Sequence, residues 1–272
     1  MPSQAALDLA WAINSPSLVD GEDVAITQRI EAENIDAEHL AHFLRNQPKS
    51  RSVGRYFEHL VHYWLAHVRK VEVAETNLQL KEGKITVGEI DFLYRNENSQ
   101  LVHLETSVKF YLHTAGMTPS EYPGPNARDN FESKAAKLFN QQLPASDGRI
   151  DDVSSREGLV KGMIFYPEDS TNPQAPDRLA ADHSAGRWVR SDSVGDLEPL
   201  GDIFSIAEKP HWLAPSCHTP TLRLGQLAER LSHHFSTKAH PVMLSIRNTA
   251  SPEVEQHRCL IVSPSWPART ST

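Results

Sequence analysis

The spacing of apolar positions changes several times along the chain, and each change marks an element. Ala5, Leu7, Leu9, Ala10 and Ile13 suggest a short helix near the start, and Leu40, Phe43 and Leu44 suggest another. A stronger helix follows. Val53, Phe57, Leu60, Val61, Trp64, Leu65 and Val68 fall on one helical face, and Ser52 is placed to cap it. The period then shortens to two. Residues 71–80 read as a strand, with Glu82-Gly83 as its turn. The stretch ITVGEIDFLYRNENSQLVHLETSVKFYL, residues 85–112, supplies two more strands joined by a turn at Asn96, Asn98 and Ser99. After the loop YPGPNAR, Asn126 is a plausible helix cap, with Asp129 three residues later. The helix it opens carries Phe131, Ala135, Leu138, Phe139 and Leu143 on one face, and Pro144 ends it. GLVKGMIFYP, residues 158–167, reads as a fourth strand. From residue 53 to residue 167 the order is therefore helix, three strands, helix, strand.

Beyond residue 167 the composition shifts. Residues 168–200 are rich in Pro, Asp, Ser and Gly, with one short strand expected at 187–190. A helix over 222–235 rests on Leu224, Leu227, Leu231 and Phe235, and strands at 240–247 and 256–262 close the chain. The pattern divides the chain into a helical segment (1–50), a core (51–167) and a smaller α+β extension (168–272), an α/β (α+β) protein.

The 272 residues suffice for one large or two small domains. At 39% hydrophobic and 23% charged, the composition is that of a globular protein. A net charge of −8 gives no support for a surface coated in basic patches. Cys217 and Cys259 match no metal knuckle and make no disulfide scaffold, which points to a reducing compartment. The start lacks the basic flank and apolar run of a signal peptide, and no apolar stretch is long enough for a bilayer, so a cytoplasmic location without a membrane partner is expected. Gly-rich phosphate loops, dinucleotide fingerprints and a nucleophilic serine elbow are all missing from the sequence.

The chemistry concentrates in residues 85–112. On the third strand Val102, Leu104, Thr106, Val108, Phe110 and Leu112 share one face, which belongs to a core. The opposite face carries His103, Glu105, Ser107, Lys109 and Tyr111, while Glu89 and Asp91 share a face of the second strand. If the two polar faces align, Asp91 and Glu105 meet across strands about 5 Å apart. Carboxylates that close repel each other, and a divalent cation is the usual reason to gather them. Such a face is also what the solvated side of an antiparallel sheet looks like.

GEIDFL followed by HLETSVK resembles the PD-(D/E)XK nuclease superfamily, and the element order resembles its α-β-β-β-α-β core. That resemblance implies a restriction-endonuclease-like mixed sheet and metal-dependent hydrolysis of nucleic-acid phosphodiester bonds, with DNA the favoured partner. It implies Mg²⁺ or Mn²⁺ on Asp91 and Glu105, a charge-stabilising Lys109, and help from Glu58 in the preceding helix or from Glu89. GEIDFL, HLETSVKFYL, GPN, HWLAP (211–215) and SWP (265–267) together resemble an uncharacterised bacterial family with a domain of unknown function, usually grouped with these nucleases. The lysine departs from the superfamily pattern. It would stand at position 107, where this chain has Ser107, and Lys109 comes two residues, about 6.6 Å, further along the strand. The alternative is therefore a catalytically silent nuclease-fold protein that binds nucleic acid or acts as a scaffold. A weaker third idea is a protein-interaction module in the C-terminal half; the sequence names no protein partner.

Other positions are weighed against plainer roles. Lys134, Lys137 and Gln141 are spaced to line one helix edge, where with Ser107 they would face substrate; a solvent face is the simpler account. His59, His62 and His67 read as solvated helix positions rather than metal ligands. Trp188, Trp212 and Trp266 read as core or loop anchors before base-stacking platforms.

Overall fold

A computed structural model describes residues 2–116, 120–168, 170, 174–216 and 219–267, so Cys217 lies outside the described residues. The protein is mixed α/β, with a large mixed sheet and helices, and its residues divide into two compact units. The first contains Met1–Lys109, Glu132–Gly162 and Pro176–His183; the second contains Phe110–Phe131, Met163–Ala175 and Ser184–Thr272. Among the described residues no helix is long and apolar enough to cross a membrane.

In the first unit, helices α1 (Gln4–Asn14), α2 (Ala37–Arg45) and α3 (Val53–Tyr63) pack together. Each starts where a side-chain oxygen accepts an otherwise orphaned amide: Ser3 from Ala6, Asp36 from Glu38 and His39, Ser52 from Arg55. Asp8 is fully buried and accepts the Tyr56 hydroxyl at 3.0 Å, tying α1 to α3. Burial, then the facing carboxylate, keep that phenol protonated. The expected long apolar stripe is divided. After Tyr63 the helix widens into a π-helical turn, Trp64–Arg69, and ends at Lys70 in the left-handed region.

The strands of this unit are β1 (Glu72–Glu82), β2 (Ile85–Arg95) and the first parts of β3 (Leu101–Leu112) and β4 (Val153–Tyr166), which pass to the second unit at Phe110 and Met163; their order is β1-β2-β3-β4. β1 and β2 form an antiparallel hairpin whose turn uses Gly83 at φ +63°. β2 and β3 are also antiparallel, joined by a turn in which the Asn96 side chain accepts the amides of Asn98 and Gln100. Helix α4 (Phe131–Lys137) continues as a π turn, Leu138–Gln142, and a 3-10 turn, Leu143–Ser146. Two helix expectations fail here. The helix starts five residues after Asn126, because residues 124–129 form a turn closed by Gly124 N–H donating to Asp129 O. Pro144 does not end it, because proline is tolerated in the first positions of the 3-10 turn, where its missing N–H is not required.

In the second unit the order is β4-β5-β9-β8-β6-β7, with β5 (Ala185–Arg190), β6 (Ile203–Ala207), β7 (Thr221–Leu222), β8 (Val242–Arg247) and β9 (His257–Val262). β5 runs parallel to β4 and β9, while β8 is antiparallel to β9 and β6. Leu227 and Leu231 of α5 (Leu224–Thr237) join Phe204, Leu244, Ile246 and Ile261 in its core. Cys259 belongs to that core, and burial pushes its thiol up to about 12, leaving it unreactive. Trp188, Trp212 and Trp266 are buried, and their indole N–H groups donate to the carbonyls of His113, Ala207 and Pro125; they are anchors.

Candidate functional site

β2 and β3 pair from Arg95↔Leu101 to Phe92↔Leu104. Extending this register by one residue sets Asp91 opposite Glu105 on the same face. The ladder itself stops at Phe92↔Leu104. Instead of continuing it, β3 gives its Thr106 amide to the Asp91 carboxylate at 2.8 Å, and the Thr106 hydroxyl donates to the same oxygen at 3.0 Å. Asp91 is half-buried, while Glu105 is 1% and His103 0% exposed. The polar face of β3 is therefore not a solvated one at these positions.

Both Glu105 oxygens have a protein hydrogen-bond partner. His103 Nε2 lies 2.9 Å from Oε1, and Gln142 Nε2–H donates to Oε2 at 2.6 Å. Behind His103, its Nδ1 lies 3.0 Å from the Ser146 hydroxyl, which accepts from Arg156 Nε at 3.1 Å. Arg156 is in turn paired with Asp147.

The electrostatics at the strand ends are those of crowded acids. Burial raises the Asp91 carboxyl to about 7, the Glu105 and Glu58 charges add to it, and the Thr106 hydrogen bonds pull the other way. Glu58, on α3, is also raised, by burial first and then by Glu89 and Glu105, against the pull of Arg55 at 2.7 Å. Among the described residues neither Asp91 nor Glu105 pairs with a lysine or arginine, and no three His, Cys, Asp or Glu side chains are grouped so as to hold a metal ion.

The remaining residues expected from the sequence are placed as follows. Ser107 and Lys109 are half-buried on the Glu105 face of β3. The Lys109 backbone runs against Gly162 of β4, where any Cβ would overlap the Lys109 carbonyl oxygen. Lys134 is half-buried, whereas Lys137 and Gln141 are exposed. Gln142, not Gln141, reaches Glu105. The π turn over Leu138–Gln142 departs from the regular helical spacing that aligned Gln141 with Lys134 and Lys137. Of the helix histidines, His67 is exposed, as expected, while His59 and His62 are half-buried. His62 lies against Phe43 and Phe92, and His67 against His39 and Tyr63. Burial and neighbouring cationic groups depress His59, His62 and His67. Sequence reasoning missed Thr106, Gln142, Ser146 and Arg156 as site residues. The alternation HLE did carry a signal for His103, which shares a strand face with Glu105.

A family model described as a domain of unknown function (DUF1853) matches residues 7–262. No curated protein and no solved structure matches the chain.

Proposed function

The chain belongs to the DUF1853 family, and from that premise we propose that it is a divalent-metal-dependent phosphodiesterase of the PD-(D/E)XK type, acting on nucleic acid. The reading takes α3, β1, β2, β3, α4 and β4 as a restriction-endonuclease-like α-β-β-β-α-β core. The observation that carries it is the Asp91–Glu105 pair. Two carboxylates, Glu105 buried and Asp91 half-buried, come opposite each other in the extended register where two strands part, with a third, Glu58, adding to the negative charge. Among the described residues no lysine or arginine is paired with either.

The donor set fits a hard cation. Mg²⁺ and similar ions take one or two carboxylates and complete their shell with water and phosphate oxygens, so a group of three protein ligands is not needed. Asp91 and Glu105 would hold the ion, because each carboxylate oxygen keeps lone pairs beyond the hydrogen bonds described. When bound, such an ion polarises a phosphoryl oxygen and acidifies a water molecule. Glu58, with its raised affinity for a proton, accepts one from the attacking water. Lys109 offsets negative charge on the phosphate, and Lys134 and Lys137 meet the backbone of the strand. The test is calorimetric titration with Mn²⁺ and cleavage of single- and double-stranded DNA and RNA. One site in the wild type, lost in Asp91→Ala and Glu105→Ala, is expected; equal binding by all three proteins would defeat the proposal.

Two observations favour the silent alternative, a binding or scaffolding module on the same fold. Ser107 stands in the lysine position, and both Glu105 oxygens already have protein hydrogen-bond partners. Metal binding without cleavage, unchanged by Lys109→Ala, is the result that selects it.

A further inference from the structure

The chain of hydrogen bonds behind Glu105 has a direction, set from its far end. A guanidinium has only donors, so Arg156 Nε donates to Ser146 Oγ at 3.1 Å. The Ser146 hydroxyl is then left to give its own hydrogen to His103 Nδ1, at 3.0 Å. A bare Nδ1 places the imidazole proton on Nε2, and Nε2–H donates to Glu105 Oε1 at 2.9 Å. Any other arrangement leaves a fault. With the proton on Nδ1 instead, two lone pairs would face each other between Nε2 and Oε1. With both nitrogens protonated, Ser146 would accept twice and its hydrogen would have no acceptor among the described contacts. His103 and Ser146 are each 0% exposed, so bulk water does not repair either fault.

From this geometry we propose that His103 is a positioning residue: Arg156 and Ser146 fix its tautomer, and its Nε2–H fixes the orientation of the Glu105 carboxylate. The inference rests on the reading of Glu105 as a metal ligand only for its functional consequence, since the hydrogen-bond chain stands without it. With Oε1 held by His103 and Oε2 by Gln142, the carboxylate plane is pinned at both ends. Its remaining lone pairs then point in set directions. A side chain that merely filled space would not need a defined tautomer.

The experiment uses the full-length protein with ¹⁵N-labelled histidine and ¹³C-labelled glutamate carboxyls, first without metal. The wild type should show His103 protonated on Nε2 alone. Ser146→Ala leaves Arg156 and Glu105 intact, and should produce a mixture of tautomers and move the Glu105 carboxyl signal. Mn²⁺ titration follows. Removing an outer hydrogen-bond partner of a metal ligand typically weakens binding about 10–100-fold. That loss is expected for Ser146→Ala and for His103→Leu, with substantial recovery in His103→Gln, whose amide again offers a donor to Glu105. If His103→Leu fails to fold, Ser146→Ala decides. Nδ1 protonation in the wild type would overturn the proposal, as would a Glu105 signal unmoved by Ser146→Ala or equal Mn²⁺ binding by Leu and Gln at position 103. If the wild type binds no Mn²⁺ while the tautomer and carboxyl signals shift as expected, the metalloenzyme reading falls and the positioning role of His103 survives.

Discussion

At Asp91, burial and two neighbouring carboxylates outweigh the hydrogen bonds from Thr106, and the carboxyl rises from its ordinary 3.8 to about 7. The direction has a consequence for stability. A carboxyl with a raised native pKa holds its proton more tightly in the folded chain than in the unfolded one. Stability therefore falls as pH rises from about 4 through about 7, and the penalty is complete above that window. Asp91→Asn removes the charge and keeps an oxygen to accept from Thr106. In the presence of a chelator it should stabilise the protein near pH 8 by something on the order of 2 kcal/mol. A tenfold change in proton affinity corresponds to about 1.4 kcal/mol, and solvent at this half-buried position screens part of the total. Near pH 4 the gain should vanish. Urea unfolding at both pH values measures this, and a gain independent of pH would count against crowded acids as its source.

The alternation along β2 and β3 was legible at the level of elements because the pleat fixes it. Val102, Leu104, Val108, Phe110 and Leu112 are all buried as expected, but His103, Glu105 and Tyr111 on the opposite face are buried too, which alternation does not reveal, and only an extension of the antiparallel register past Phe92↔Leu104 sets Asp91 opposite Glu105. The α4 region was not legible to the same depth. A π turn is a backbone accommodation with no residue signature, and Gln142 at its end makes the contact with Glu105. Ser146 and Arg156 reach His103 only through the folded chain, so no local spacing announces them. β6, a five-residue strand flanked by loop, offers too short a run for its period to emerge. The two glutamines turn this into a comparison. Gln142→Leu strips a donor from a buried carboxylate and should cost about 1.5–3 kcal/mol. The exposed Gln141 should tolerate the same change within about 0.5 kcal/mol. Chemical unfolding of the two variants side by side measures the difference; equal losses would mean that the Gln142 hydrogen bond contributes nothing special.

The shift in composition after residue 167 looks like a domain boundary, yet the second compact unit takes up chain on both sides of it. Phe110–Phe131 and Met163–Ala175 belong to that unit together with Ser184–Thr272. β5 lies parallel to the end of β4 through Ile164↔Ala185, Phe165↔Gly186 and Tyr166↔Arg187. Residues before 168 also receive two of its buried indoles, Trp188 at His113 O and Trp266 at Pro125 O. A fragment consisting of residues 168–272 would keep β5, β6, β7, β8, β9 and α5, but β5 would become an uncovered edge and two indole N–H groups would lose their acceptors. Unpaired strand edges invite association between chains, and an orphaned buried donor costs about 1–3 kcal/mol. With net stabilities of domains near about 5–15 kcal/mol, losing a neighbouring strand and both acceptors should remove cooperative folding. The expected result is a fragment that unfolds without a sharp thermal transition and self-associates, while residues 110–272 recover a defined transition. Calorimetry and light scattering on the two fragments decide it. A cooperative, monomeric 168–272 would show that the boundary in the composition is also a boundary in folding, and that the strand ending at Tyr166 is dispensable to the unit it borders.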